Sequence, residues 1–133
     1  MGTVVLDASV VLGLRDPGDS HHTAASEALR TSRAAGERLV LPASALAEVL
    51  VGASRLGGEA VGRTEAFVDA IIDDVHPIDR ETARAAAELR ARHRSLRLPD
   101  AFVLAVGKIL QASAVLTADQ AWQRVDPRVR VIS

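Results

Sequence analysis

The sequence predicts an α/β protein, a three-layer α/β/α sandwich around a mostly parallel sheet. Three observations carry this expectation. Short β-branched or apolar runs alternate along the chain with segments of helical periodicity. The runs read as short buried strands connected through helices, the arrangement that gives parallel neighbours. Finally, 133 residues with 48% hydrophobic content suffice for one core, so a single domain spanning 1–133 is expected.

Residues 3–6 are a β-branched run ending at Asp7, and residues 39–41 an apolar run ending at Pro42. Between these two strands, Ser20 is placed to cap a helix through Glu27 and Leu29 to Ala35, with Gly36 terminating it. Pro42 suits the first turn of the next helix. There Leu46, Val49, Leu50 and Ala53 recur at helical spacing until Gly57 and Gly58 stop it. Residues 59–73 repeat the pattern, with Val61, Phe67, Val68, Ile71 and Ile72 at the apolar positions. A third strand is predicted over 75–78, confined by Pro77 to an irregular or edge position. Asp79 then caps a helix through Ala85 and Leu89, and residues 95–98 form a loop. Pro99 opens an apolar helix from Asp100 to about Gln111. A strand over 114–116, a short helix over 118–124 and a strand over 129–132 complete the chain.

Composition excludes several functions. Aromatic residues make up 2% of the chain, with Phe67, Phe102 and Trp122 alone, so base stacking is not the means of holding nucleic acid. The formal charge of −1 provides no whole-molecule field for an anionic partner, which a local patch would have to hold. The absence of Cys rules out disulfides, thiolate metal sites and a Cys nucleophile, and suits a cytoplasmic protein. The apolar stretch 4–14 is interrupted by Asp7 and lacks a preceding basic residue, unlike a secretory signal. No segment offers the roughly 20 uninterrupted apolar residues of a membrane span.

Four carboxylates can reach one edge of the predicted sheet. Asp7 ends the first strand and Asp119 follows the fourth, at the carboxyl ends where open parallel sheets bind ligands. Asp100 stands in a first helical turn, where backbone N–H groups and the macrodipole favour negative charge. Glu48 lies on the helix after the second strand, among Ser44, Ala45 and Gly52, whose small side chains would let a second element approach. Taken singly, these acids are caps, a first-turn residue and a solvated helix residue. Gathered together, they would repel one another and resist desolvation unless a cation neutralised them. Mg²⁺ or Mn²⁺ is the expected ion, because hard cations take oxygen ligands and Mg²⁺ retains waters.

Four segments together resemble the PIN-domain nucleases. These are VVLDASVVLGL at the N-terminus, LPASALAEVL around Glu48, LPDAFVLAVGKILQ around Asp100 and LTADQAW around Asp119. More narrowly, the chain resembles VapC-type toxins of bacterial toxin–antitoxin pairs, over residues 3–132. The resemblance implies a PIN-like fold and an Mg²⁺- or Mn²⁺-dependent endoribonuclease with Asp7, Glu48, Asp100 and Asp119 as its metal-binding acids. Ser9 and Thr117 match the hydroxyl residues that accompany the first and last acids, and are expected to supply supporting hydrogen bonds. Trp122 matches a frequent aromatic and is expected in the core. A homodimer and a small cognate antitoxin, whose C-terminal segment lies across the toxin, are also implied. The competing expectations are a PIN nuclease of RNA processing and a module that binds metal or RNA without turnover.

The stretch before Asp100 is the most basic in the chain. Arg90, Arg92, Arg94 and Arg97 are its candidate RNA phosphate contacts, since a guanidinium offers a bidentate fork. Arg84 one turn before Glu88 fits an ion-paired, solvated face equally well. His21 and His22 lack partners at metal-ligand spacing and belong to a helix start. Two other strand-plus-Asp chemistries fail on the residues: Ser9 stands where a phosphoaspartyl phosphatase needs a second Asp, and Lys108 falls mid-helix where a receiver domain needs its Lys late in the sheet.

Overall fold

The computed structural model describes residues 2–133. The chain runs β1 (Thr3–Leu6), α1 (Ala8–Arg15), α2 (His22–Ala34), β2 (Arg38–Pro42), α3 (Ala43–Leu56), α4 (Gly58–Ile71) and β3 (Asp74–His76). It continues through α5 (Arg80–Arg92), α6 (Leu98–Ile109) and β4 (Ala114–Thr117), then a 3-10 turn (Gln120–Arg124) and β5 (Val129–Val131). The strands form one sheet in the order β3-β2-β1-β4-β5, and every pairing is parallel.

Side chains alternate between the faces of a strand, so consecutive buried residues require cover on both sides. Val4, Val5 and Leu6 are 1%, 0% and 0% exposed, and Leu39, Val40 and Leu41 are each 0% exposed. The predicted three-layer sandwich therefore holds, with a sheet parallel throughout rather than mostly so. Val5 sits mid-sheet, opposite Val40 on one side and Val115 on the other. From β1 the chain winds outward to β2 and β3, then returns to pair β4 on the other side of β1. The direction of winding reverses between β1 and β4. A crevice opens at the carboxyl ends of such strands.

Two elements position the site most directly. In α6, Ala101, Val103, Leu104 and Ala105 are 0% exposed, and the helix lies on β1, β2 and β4 with α5 beside it. The start of α5 is fixed by Asp79, whose Oδ1 accepts from the Thr82 N–H at 2.9 Å and the Thr82 hydroxyl at 2.8 Å.

Several local expectations are corrected. The sequence reading leaves residues 8–15 without an element, whereas they form α1. This helix has only 8 residues, no acid in its first turn and no side-chain cap from Asp7. Its β-branched Val10 and Val11 disfavour a helix locally, but they are 1% and 0% exposed, and tertiary packing decides the outcome. Ser20 does not cap α2: His21 holds that position, and Asp19 Oδ1 accepts the His21 N–H at 2.8 Å. The third strand covers Asp74–His76 rather than 75–78. It lies at the sheet edge as Pro77 requires, and stops before that residue, which has no N–H to continue the ladder. Pro42 ends β2 and precedes α3 as its N-cap instead of opening its first turn. Within 118–124, only Gln120–Arg124 is helical, as a 3-10 turn. At Gly52 a Cβ would meet nothing within 4 Å, so no element of this chain uses that space.

Gly107, by contrast, is required by packing, since a Cβ there would stand 2.5 Å from Val115 Cγ2 on β4. Gly107→Ala is expected to lower stability by about 1–3 kcal/mol through overpacking, against a helix-propensity gain of up to about 1 kcal/mol. Urea unfolding of the two proteins checks this, and an unchanged or higher midpoint would contradict the close contact.

Candidate active site

The cleft at the β1/β4 reversal, about 350 Å³ in volume, is lined by Asp7, Ser9, Leu12, Glu48, Arg97, Asp100, Asp119 and Trp122, with Ala8 and Ala118 between them. A larger groove, about 630 Å³, lies between α5 and the last turn of α6. Its charges are mixed, with Arg80, Arg84 and Lys108 beside Glu81 and Glu88. Only the smaller cleft gathers the four predicted acids, drawn from four separate parts of the chain.

Asp7 is the most deeply built of them. Its backbone N–H continues the sheet by donating to Leu116 O at 2.9 Å, which fixes the residue at the end of β1. The side chain is 7% exposed, and its Oδ2 accepts from the Ser9 hydroxyl at 2.8 Å and the Thr117 hydroxyl at 2.9 Å. Those hydroxyls are themselves held. The Ala118 N–H donates to Ser9 Oγ at 3.0 Å, and the Asp119 N–H donates to Thr117 Oγ1 at 3.1 Å. Asp119, exposed at the rim, accepts the Ala121 N–H at 2.9 Å and so caps the 3-10 turn. Burial pushes the Asp7 carboxyl above its ordinary value; the two hydroxyls and the Ala8 N–H offset part of this, and the charge of Asp100 adds to it.

Glu48 enters from α3. Its Oε1 is buried and has no hydrogen-bond partner among the described residues, in a structure where buried polar atoms are ordinarily paired. Its carboxyl is also raised, first by desolvation and then by the charges of Asp7 and Asp100, with Arg97 acting in the opposite direction. Asp100, 7% exposed in the first turn of α6, faces Arg97 three residues earlier. Arg97 Nε donates to Asp100 Oδ2 at 3.3 Å, and its Nη2 donates to Oδ1 at 3.4 Å. This hydrogen-bonded pairing raises the guanidinium above its ordinary value, with Glu48 and Asp119 contributing at longer range.

Of the four arginines singled out in the basic stretch, only Arg97 lines the cleft; Arg90, Arg92 and Arg94 are exposed outside it. No Arg84–Glu88 ion pair occurs among the described residues, so that face of α5 is solvated but not paired. Trp122 is 2% exposed, as expected of a core residue, yet it also walls the cleft, and its Nε1 has no partner among the described residues. Leu12 is a wall residue that went unread in the sequence. Recognising α1 would have found Leu12, because Asp7, Val10, Val11 and Leu14 recur at helical spacing and leave Leu12 on the open side.

Among the described residues, no three Asp, Glu or His side chains stand so that they alone could hold a metal ion. Asp100 is turned onto Arg97. The donor chemistry nonetheless fits a hydrated hard cation. All four candidates are carboxylates, Glu48 Oε1 is unpartnered, and Mg²⁺ is commonly held through one or two carboxylates with water completing its shell.

The model of the PIN domain matches residues 4–127. The chain belongs to the PIN-domain family. Solved PIN-fold structures agree in architecture. One is a toxin–antitoxin complex from Klebsiella pneumoniae, with TM-score 0.77, 21% identity and coverage of 96% of each chain. Another is VapBC2 from Rickettsia felis bound to a DNA fragment from its promoter, with TM-score 0.75, 12% identity and coverage of 98% of this chain and 99% of that one. VapC20 from Mycobacterium tuberculosis, described as a toxin cleaving the sarcin–ricin loop, gives TM-score 0.72, 19% identity and coverage of 91% and 93%. At these identities the likeness concerns the fold. No curated protein sequence matches this PIN domain significantly.

The raised carboxyls make a prediction with a definite sign. A carboxyl raised on folding is protonated more readily in the folded state than in the unfolded chain, so stability falls as pH climbs from the ordinary Asp value of 3.8 through the raised one. Metal-free Asp7→Asn is therefore expected to unfold at higher urea than the parent at pH 7, with the gain disappearing below pH 3.8, where both states of the parent are protonated. A gain of equal size at both pH values would show that the charge of Asp7 is not its cause.

Proposed function

We propose that this PIN domain is a metal-dependent endoribonuclease, the toxin of a type II toxin–antitoxin pair, with Asp7, Glu48, Asp100 and Asp119 as its catalytic acids. One observation carries the reading: four carboxylates, one with an unpartnered buried oxygen, meet a single guanidinium at the switch point of the fold. Asp7, Asp100 and Asp119 are the principal ligands for Mg²⁺ or Mn²⁺, and Glu48 is a ligand or orients the attacking water. The bound ion supplies Lewis-acid stabilisation of the phosphodiester oxygens and lowers the pKa of water.

The residues of the chain do the rest. Ser9 and Thr117 both donate to Asp7 Oδ2 and so hold the carboxylate in one orientation, leaving Oδ1 without a hydroxyl partner. The raised carboxyl of Glu48 is suited to accept a proton near neutral pH more readily than an ordinary glutamate. Leu12 and Trp122 supply apolar wall beside the acids, which strengthens the charge interactions next to it. Arg97 stands at the mouth of the cleft, where an RNA phosphate would enter.

The toxin reading draws support from the relatives, described as toxin–antitoxin complexes, and from a second groove. Leu12, Val51 and Leu56 are 41%, 48% and 82% exposed along a groove between α1, α3 and α4, together with Arg15 and Arg63. Leu12 and Glu48 line both this groove and the cleft, so the two are continuous. A small antitoxin segment with an apolar face covers that groove and reaches the acids. Homodimer formation belongs to the same reading through the family resemblance, as does action on RNA in the cytoplasm. Among the described residues no helix is long and apolar enough to cross a membrane.

Asp7→Asn and Asp100→Asn are expected to abolish cleavage of total cellular RNA with the fold retained, and EDTA to abolish it in the parent. Thr117→Val, which removes the hydroxyl joining Asp7 to the Asp119 N–H but none of the four acids, is expected to lower the rate by about 10–100-fold. Mapping of RNA ends by sequencing checks the series, and full activity in either Asn variant or in EDTA would end the proposal. In cells, expression of the parent should arrest growth and Asp7→Asn should not, with the arrest relieved by a small protein encoded beside it. Growth unaffected by the active enzyme would remove the toxin role.

A further inference from the structure

The cleft lining contains four carboxylates and one cation, Arg97. That cation is unevenly placed. Its side chain is 73% exposed, while that of Asp100 is 10% exposed, so a surface arginine reaches inward to a carboxylate held in the first turn of a buried helix. Both contacts are long for a charge-assisted pair, at 3.3 and 3.4 Å against the roughly 2.7–2.9 Å of a tight one. The guanidinium spans both oxygens and so takes up one acceptor direction on each, on the carboxylate that a second cation would also seek. Arg97 itself is the N-cap residue of α6 and offers no side-chain cap bond, which leaves its side chain free of any helix-capping duty.

Resting on the nuclease reading above, we propose that Arg97 is a built-in counter-ion that the divalent cation must displace from Asp100, and that the released guanidinium then binds an RNA phosphate at the cleft mouth. Two cations compete for one carboxylate. In the absence of the ion, Arg97 offsets the negative charge of Asp100, which it touches, and of Glu48. Once the ion neutralises Asp100, the exposed stem of Arg97 can swing outward with little packing to lose. The incoming polyanion holds it there, since a phosphate accepts the same two-pronged fork as a carboxylate. Metal and RNA should then reinforce each other, because each draws the guanidinium away from its resting partner.

The test measures Mn²⁺ affinity directly, from the free-ion paramagnetic resonance signal, in the full-length parent, Arg97→Gln and Arg97→Lys without RNA. Arg97→Gln is expected to bind Mn²⁺ roughly 3–10-fold more tightly, with Arg97→Lys between the two because it keeps charge but loses the fork. At saturating Mn²⁺ the same Arg97→Gln variant should show a KM for RNA several-fold higher with kcat little changed. Circular dichroism melts establish that each variant is folded, which the exposure of Arg97 favours. If Arg97 were merely structural, its loss would weaken Mn²⁺ binding or leave it unchanged, and either result overturns the displacement. An unaltered KM overturns the phosphate contact. Failure of the parent and all variants to bind Mn²⁺ would remove the metal-dependent reading itself, a result distinct from equal binding by all three.

Discussion

The site depends on keeping a carboxylate ionisable at a place where it is almost shut off from water. Asp7 is 7% exposed at the end of β1, and nothing in an apolar sheet end would tolerate that group alone. Its partners come from the two segments nearest the reversal of the sheet: Ser9 from the start of α1 and Thr117 from the end of β4. Each partner is anchored by a backbone N–H, from Ala118 and Asp119 respectively. The result is a closed set of hydrogen bonds joining β1, α1, β4 and the turn after β4. The same bonds that stabilise the switch point also aim the carboxylate.

That network does not make the cleft electrostatically comfortable. Burial and mutual repulsion raise both Asp7 and Glu48, and a single guanidinium faces four acids. Evolution toward stability alone would replace such a cluster, since an unpaired buried charge is among the most destabilising features a fold can carry. Glu48 is the clearest sign of another purpose. One of its oxygens is buried without a partner, although Ser44, one turn earlier on the same helix, also has an unpartnered hydroxyl. Two neighbouring polar atoms left unpaired on α3 fit a helix face held ready for a partner from outside the chain.

What the sequence made legible follows from how local each signal is. Strand-ending Asp7 and first-turn Asp100 announce themselves through a β-branched run and a proline, and all five strands lie within a residue or two of where those runs place them. Glu48 has no such local mark, and only the resemblance distinguishes it from a solvated glutamate. The helix α1 escaped because its evidence is tertiary: β-branched residues and an uncapped start argue against it, and complete burial of Val11 outweighs them. Ser20 misled because α2 starts two residues later behind a turn that Asp19 closes on the His21 N–H, with no side-chain cap at all. The Arg97–Asp100 pair was visible at i, i+3 spacing, but its meaning was not. That requires knowing that Glu48, Asp7 and Asp119 line the same cleft as the guanidinium.

The relative placement of the acids is thereby set by packing well away from them. Asp7 and Thr117 meet because Leu6 lies opposite Leu116 in the β1–β4 ladder, and a one-residue slip there would turn Thr117 to the other face of the sheet. Asp100 is carried by α6, whose height over β4 is governed by Gly107 against Val115, two turns further along the helix. Val115 is also the residue opposite Val5. One apolar contact at mid-sheet therefore sets both the strand that carries Thr117 and the helix that carries Asp100. A small displacement at that contact would move Thr117, and the Asp7 it holds, relative to Asp100 without touching any of the three. For chemistry that tolerates errors of only about 0.5 Å in the placement of its groups, the core of this protein is part of its active site.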